Sequence, residues 1–127
     1  MKAIILAAGR GSRMKLLTEE SPKCLVKLRG KTLLDWQLSA LRTAGITDIS
    51  IVTGYRRDLL AKYGLVEFYN NRWAGTNMVT SLSCADSWLR KSPCIVSYSD
   101  IFYGPDVIQS MMKVSARLAV SYDPNWF

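Results

Sequence analysis

Mainly apolar runs alternate along the chain with segments whose apolar residues recur at helical spacing. The apolar runs predict buried strands at residues 3–7, 49–53, 66–69, 94–98 and 118–122. The intervening segments predict helices over residues 32–44, 57–62, 78–89 and 105–114, with Gly45 ending the first helix and Asn77 capping the third. This alternation predicts the α/β class, as a Rossmann-like three-layer fold in which helices flank a mostly parallel sheet.

Three segments with candidate chemistry follow predicted strands directly. A glycine-rich loop follows the first strand, Gly54 follows the second, and Asp100 follows the strand at 94–98. Ligands of open α/β sheets bind at the carboxyl ends of strands, where the strand order reverses. These segments are therefore expected to lie at one edge of the sheet and to form a site there.

The glycine-rich loop reads Leu-Ala-Ala-Gly-Arg-Gly-Ser-Arg over residues 6–13. Its glycines allow the backbone N–H groups to approach phosphates closely, and Arg13 and Lys23 can neutralise phosphate charge. Met14 occupies the third glycine position of a dinucleotide fingerprint, which counts against an NAD-type domain, and the spacing of a Walker loop is missing.

The loop resembles the signature L-x-x-G-x-G-[ST]-R-[LM], followed by P-K, of the nucleotidyltransferase family that makes activated sugars and alcohols. The matching positions are Leu6, Gly9, Gly11, Ser12, Arg13, Met14, Pro22 and Lys23. The resemblance implies transfer of a nucleoside monophosphate from an NTP to a small phosphorylated acceptor, with release of pyrophosphate. An ordinary glycine-rich turn is the alternative.

The resemblance also implies roles for individual residues. Arg13 is expected to bind the leaving β- and γ-phosphates, Lys23 the α-phosphate and the acceptor phosphate, and Asp100 a Mg²⁺ ion. The expected nucleotide-binding residues of the loop are Leu6, Ala7, Ala8, Gly9, Gly11, Ser12 and Arg13. Gly54 matches a glycine of the family that we interpret as a backbone requirement. The alternatives are surface cations at Arg13 and Lys23 and a turn residue at Asp100.

The segment from Asn77 to Leu82 bears on the choice of base. It resembles the N-x-x-x-S-L segment of cytidylyltransferases that act on phosphocholine and similar compounds, which favours CTP and contacts from Asn77 and Ser81 to cytosine or ribose. Both residues can equally serve as a helix cap and an inward polar position. A sugar-1-phosphate nucleotidyltransferase using UTP, dTTP or GTP, and a non-catalytic nucleotide-binding module, are the other candidates.

Composition narrows the chemistry. The chain contains no histidine, which excludes Ser-His and Cys-His nucleophiles. Three cysteines without C-x-x-C spacing indicate reduced thiols and a cytoplasmic protein. No apolar run is long enough to span a membrane, and a strand at the N-terminus leaves no room for a signal peptide. The net charge of +7 is concentrated around the glycine loop, which favours a triphosphate ligand over nucleic acid.

A length of 127 residues predicts one domain. In the family that the chain resembles, the second metal ligand and most of the acceptor-binding part follow later in the sequence. We therefore expect residues 1–127 to be the nucleotide-binding part of a truncated nucleotidyltransferase domain, and whether this part is active alone is left open. An apolar face exposed by the truncation would favour homo-oligomers.

Overall fold

A computed structural model of the protein describes residues 1–10 and 21–121. Its strands are β1 (Lys2–Ala7), β2 (Lys27–Leu28), β3 (Lys31–Thr32), β4 (Ile49–Thr53), β5 (Val66–Tyr69) and β6 (Cys94–Tyr98). Its α-helices are α1 (Leu33–Thr43), α2 (Met78–Ser83), α3 (Asp86–Lys91) and α4 (Pro105–Met112). Short 3-10 helices cover Lys23–Leu25, Arg57–Tyr63 and Trp73–Gly75. None of the described helices is both long and apolar enough to cross a membrane.

Four strands form one parallel sheet in the order β5-β4-β1-β6. Two hydrophobic cores lie on the two faces of this sheet. Because successive residues of a strand face opposite sides, β1 contributes side chains to both cores. Ile5 packs with α1 and α4 on one side, and Ile4 packs with the α2–α3 region on the other. The three layers and the parallel sheet confirm the predicted α/β fold.

Helix α1 begins and ends as its sequence predicts. The Thr32 hydroxyl accepts a hydrogen bond from the Asp35 backbone N–H at 3.0 Å, which satisfies a donor of the first turn. Gly45 follows the helix with φ of 98°, a left-handed conformation that glycine adopts without strain. The helix buries Leu34, Leu38 and Leu41 against the sheet.

Several element predictions need correction. The predicted helix over 78–89 is divided at Ala85, which is fully buried and has φ of −98° and ψ of 20°. This break lets both Leu82 and Trp88 pack against the same face of the sheet. The helix that begins at Pro105 ends at Met112, two residues early. The predicted short helix over 57–62 is present as a 3-10 helix over residues 57–63, one residue longer than predicted.

The predicted strand at 118–122 is wrong for its described part. Residues 118–121 are irregular, and the side chains of Leu118 and Val120 are 83% and 79% exposed. A strand is stabilised by pairing with a neighbour, and within the described ranges this segment has no such neighbour. Tyr122 lies outside the described residues. The antiparallel pair β2–β3, which the sequence analysis missed, turns at Arg29 and Gly30, both with positive φ.

The cap of α1 provides a test of the fold. We expect Thr32→Ala to lower the free energy of unfolding by about 1 kcal/mol, because the Asp35 N–H loses its acceptor. Thr32→Ser retains the hydroxyl and should remain close to the wild type. Urea denaturation of the three proteins measures this, and equal midpoints for Thr32→Ala and the wild type would contradict the capping role.

Candidate active site

A cleft of about 160 Å³ opens at the carboxyl edge of the sheet, between the ends of β1 and β6. The chain leaves β1 toward β4 on one side and later returns to form β6 on the other, so this is the point where the strand order reverses. Its lining residues are Leu6, Ala8, Gly9, Lys23, Trp73, Thr76, Asn77, Met78, Ser81, Tyr98, Ser99 and Asp100. The site therefore lies where the strand pattern predicted it.

Most of the predicted site residues that the structure describes line this cleft. They are Leu6, Ala8, Gly9, Lys23, Asn77, Ser81 and Asp100. Ala7 does not line it, because its side chain is buried in the core on the α1 side of the sheet. Gly11, Ser12 and Arg13 lie outside the described residues, so their roles remain predictions.

Gly54 acts behind the cleft wall. A Cβ atom placed on it would lie 2.5 Å from Trp73 Cβ and 2.7 Å from the Ala8 carbonyl oxygen. The next residue, Tyr55, donates its N–H to that same carbonyl at 2.9 Å. A side chain at position 54 would therefore displace two parts of the cleft wall, which supports the interpretation of Gly54 as a backbone requirement.

The two charged side chains of the cleft contact each other. Lys23 Nζ lies 3.1 Å from Asp100 Oδ2, and each side chain is about one-third exposed, at 30% and 37%. The pair joins the short 3-10 helix after the glycine loop to the end of β6. A cation that binds phosphate oxygens and a carboxylate that binds a metal would thus act on the same ligand from adjacent positions.

Asp100 is compatible with magnesium carried by a nucleotide. Among the described residues there is no group of three or more acidic, histidine or cysteine side chains that could enclose a metal ion. Mg²⁺ is commonly held by one or two carboxylates together with substrate phosphates and water. Within residues 1–10 and 21–121, the donor set therefore fits a metal bound jointly with a triphosphate rather than a metal enclosed by protein ligands alone.

The residue after Lys23 is chemically inert. Cys24 is fully buried, and this burial raises the pKa of its thiol to about 12. The thiol therefore stays protonated near neutral pH, whereas the thiolate is the nucleophilic form. Covalent catalysis by the Cys24 thiol is therefore not supported.

Sequence reasoning missed a buried amide that holds the Asp100 segment. Gln37 of α1 is fully buried, and its Nε2 donates to the carbonyl oxygens of Tyr98 at 2.9 Å and Ile101 at 2.7 Å. These two carbonyls lie on either side of Ser99 and Asp100, so Gln37 fixes the backbone that carries the carboxylate. The signal that could have revealed it is a glutamine on the apolar face of a helix.

The opposite wall also depends on a residue that was missed. Asn70 directly follows β5, is 3% exposed, and donates hydrogen bonds to the hydroxyls of Thr76 and Ser81, each at 3.0 Å. Asn77 caps α2, accepting from the Thr80 N–H at 3.2 Å, and lines the cleft. The structure thus supports both the capping and the cleft-lining interpretation of Asn77.

A parallel α/β sheet with a cleft at its reversal point, a lysine–aspartate pair and a preceding glycine loop is typical of a nucleotide-binding enzyme domain. The chain belongs to the family described as MobA-like NTP transferase domain, whose model matches residues 3–124. This match covers nearly all of the chain and confirms the resemblance that the glycine loop indicated.

Individual relatives are consistent with this family. The chain is 39% identical to CTP:phosphoglutamine cytidylyltransferase of Campylobacter jejuni, over 99% of this chain and 54% of that protein. It resembles the structure of CTP:phosphocholine cytidylyltransferase from Streptococcus pneumoniae with a TM-score of 0.73 and 36% identity, covering 83% of this chain and 49% of that one. The chain thus spans about half the length of these relatives.

A shorter match involves a different base. Over 51 residues, which are 40% of this chain and 22% of the relative, the chain is 55% identical to N-acetylmuramate alpha-1-phosphate uridylyltransferase of Neisseria meningitidis. The relatives of this chain therefore include proteins named for different nucleotides and acceptors.

The packing of Gly54 yields a second prediction. Gly54→Ala should lower the free energy of unfolding by about 2 kcal/mol, because the added methyl group overlaps Trp73 and Ala8. Gly75→Ala is the matched control, since its Cβ would have no neighbour within 4 Å. Thermal and urea denaturation compare the two variants, and equal loss of stability in both would contradict the close approach.

Proposed function

We propose that this chain is the nucleotide-binding part of a cytidylyltransferase, which transfers CMP from CTP to a small phosphorylated acceptor such as phosphocholine or phosphoglutamine and releases pyrophosphate. The observation that carries the proposal is the cleft in which Lys23 and Asp100 face Asn77 and Ser81. Similarity to cytidylyltransferases acting on two phosphorylated acceptors supports the base and the acceptor class.

In this proposal, the charged residues Lys23 and Asp100 have different roles in stabilising the phosphate charge. Lys23 binds the α-phosphate and the incoming acceptor phosphate, which stabilises the charge that develops as the acceptor oxygen attacks the α-phosphorus. Asp100 holds a Mg²⁺ ion, which when bound neutralises triphosphate charge and orients its oxygens. The backbone at Ala8 and Gly9, which line the cleft, approaches the nucleotide, and Gln37 keeps Asp100 at the cleft.

The glycine loop completes the triphosphate site in the proposal. Arg13 binds the β- and γ-phosphates and stabilises the leaving pyrophosphate, while the backbone of Gly11 and Ser12 surrounds the phosphates. Leu6 and Ala7 act through the strand that positions this loop. These assignments rest on the family signature.

Two further proposals concern the length and location of the whole protein and its self-association. We infer that residues 1–127 form the nucleotide-binding part of a longer domain in a cytoplasmic protein, with acceptor contacts supplied elsewhere. The exposed apolar side chains of Val96, Tyr98, Ile101 and Phe102, on and after β6, would favour self-association. A clean monomer in light scattering would contradict that association.

A sugar-1-phosphate nucleotidyltransferase is the second candidate, favoured by the 55% identity to a uridylyltransferase over 51 residues. A non-catalytic nucleotide-binding module is the third, and it predicts saturable NTP binding without pyrophosphate release. The cytidylyltransferase and the sugar-1-phosphate nucleotidyltransferase differ in the base that they prefer. Both would turn over NTP with an acceptor, whereas the non-catalytic module would not.

Calorimetric titration with CTP, UTP, dTTP and GTP, each with Mg²⁺, tests the choice of base. We expect CTP to bind about tenfold more tightly than UTP, which corresponds to about 1.4 kcal/mol. Preference for UTP, dTTP or GTP would instead support sugar activation. Pyrophosphate release with CTP and phosphocholine or phosphoglutamine then separates an enzyme from a binding module.

The metal role of Asp100 gives a separate prediction. Asp100→Asn should remove most of the Mg²⁺-dependent gain in CTP affinity, about tenfold, through loss of one charged ligand. Binding without Mg²⁺ should not weaken, because Lys23 is released from its ion pair and becomes free for phosphate. Asp106→Asn, at an exposed position in the first turn of α4, is the matched control, and an unchanged Mg²⁺ effect in Asp100→Asn would exclude the role.

A further inference from the structure

Asn70 lies behind the cleft wall and contacts two residues that line it. Its side chain is 3% exposed and is absent from the cleft lining, whereas Thr76 and Ser81 both belong to that lining. The side chain of Asn70 is therefore placed to act on a ligand through these two hydroxyls, while its backbone carbonyl accepts from the N–H of Trp73 at 3.3 Å.

The orientation of the Asn70 amide follows from its backbone partner. The Arg72 N–H can only donate, and it lies 3.0 Å from Asn70 Oδ1, which must therefore be the acceptor. The Nδ2 group then faces the two hydroxyls and donates one hydrogen bond to Thr76 Oγ1 and one to Ser81 Oγ. Both hydroxyl oxygens are consequently acceptors toward Asn70.

The hydroxyl protons of Thr76 and Ser81 differ in whether the protein provides a hydrogen-bond acceptor for them. Thr76 donates its proton to the Arg72 carbonyl at 2.9 Å, so this hydroxyl is fully engaged within the protein. Ser81 has Asn70 as its side-chain partner, and no described residue accepts the Ser81 proton. By contrast, Ser83 and Cys84 both donate to the Thr80 carbonyl. Residue Ser81 is 7% exposed and lines the cleft, so its hydroxyl proton is available to an acceptor in the cleft.

We propose that Asn70 is a positioning residue that fixes Ser81 as a hydrogen-bond donor into the cleft, and that among the pyrimidines this donor selects the base whose ring N3 is an unprotonated acceptor. Cytosine has such an N3. Uracil and thymine carry a proton on N3, so their N3–H group and the Ser81 hydroxyl would both be donors and could not form a hydrogen bond. A buried donor left unpaired is costly, which is the basis for rejecting the wrong base. The inference rests on the proposed use of a nucleoside triphosphate and deepens it.

Asn70→Asp tests the inference because it preserves shape and reverses hydrogen-bond direction. Both oxygens of the introduced carboxylate accept, so the Ser81 hydroxyl would donate to that carboxylate and present a lone pair to the cleft. We expect the ratio of the UTP to the CTP dissociation constant to fall by about tenfold or more. Asn71→Asp, on the exposed neighbouring residue, adds the same charge and should leave the ratio unchanged.

A double-mutant cycle separates this role from a merely structural one. In a Ser81→Ala background there is no hydroxyl to orient, so adding Asn70→Asp should not change the UTP to CTP ratio. If Asn70 only stabilised the wall, its substitution would weaken both nucleotides equally, with or without Ser81. Equal weakening with a constant ratio would overturn the inference.

A measurement on the unaltered protein decides the case if Asn70→Asp fails to fold, as judged by circular dichroism. In 3-deaza-CTP the ring N3 is replaced by C–H, so we expect wild-type affinity to fall at least about tenfold relative to CTP, and Ser81→Ala to bind both alike. Equal binding of both by the wild type would overturn the inference. If the wild type shows no preference for CTP over UTP, both the proposed use of CTP and the role of Asn70 are overturned. If the wild type prefers CTP and Asn70→Asp keeps that preference, only the role of Asn70 is overturned.

Discussion

The parallel pairing of β1 with neighbours on both sides is the constraint on which the fold and the cleft depend. β1 pairs with β4 along one edge and with β6 along the other. Parallel strands need crossover connections, and in this sheet the chain leaves β1 toward β4 and β5 and later returns to form β6 on the other side of β1. The crevice forms at this reversal, and the register that pairs Leu6 with Tyr98 brings the start of the glycine loop beside Asp100.

Buried amides hold the two walls of the crevice. Gln37 bonds the backbone on both sides of the Asp100 position, and Asn70 bonds two hydroxyls of the opposite wall. A buried amide N–H group that is left unpaired is costly, so the Nε2 group of Gln37 and the Nδ2 group of Asn70 each define a particular geometry for the segment they contact. The Gln37 Oε1 atom is buried without a hydrogen-bond partner among the described residues. The exposed ion pair of Lys23 and Asp100 contributes little stability by comparison, which leaves both side chains available to a ligand.

The part of the site that was predictable follows local rules. Gly9 and Asp100 come two residues after the apolar strands β1 and β6, and the carboxyl ends of parallel strands share one edge of the sheet. Gln37 and Asn70 escaped prediction because their effects depend on tertiary contacts: the carbonyls that Gln37 binds are 61 and 64 residues away in the chain. The break at Ala85 and the irregular segment around Leu118 were missed for a related reason, since packing against the sheet and strand pairing decide both.

The sequence by itself determined the α/β class and placed candidate residues after β1 and β6, and it predicted a chemistry based on phosphate, lysine and carboxylate in a chain without histidine. These features depend on periodicity and on short motifs, which are local. Only the tertiary structure decided which side chains meet across the cleft, why Gly54 must lack a side chain, and which way the Asn70 amide faces. Those properties depend on distances between segments far apart in the chain, and hydrogen-bond direction is set by the partners that folding brings together.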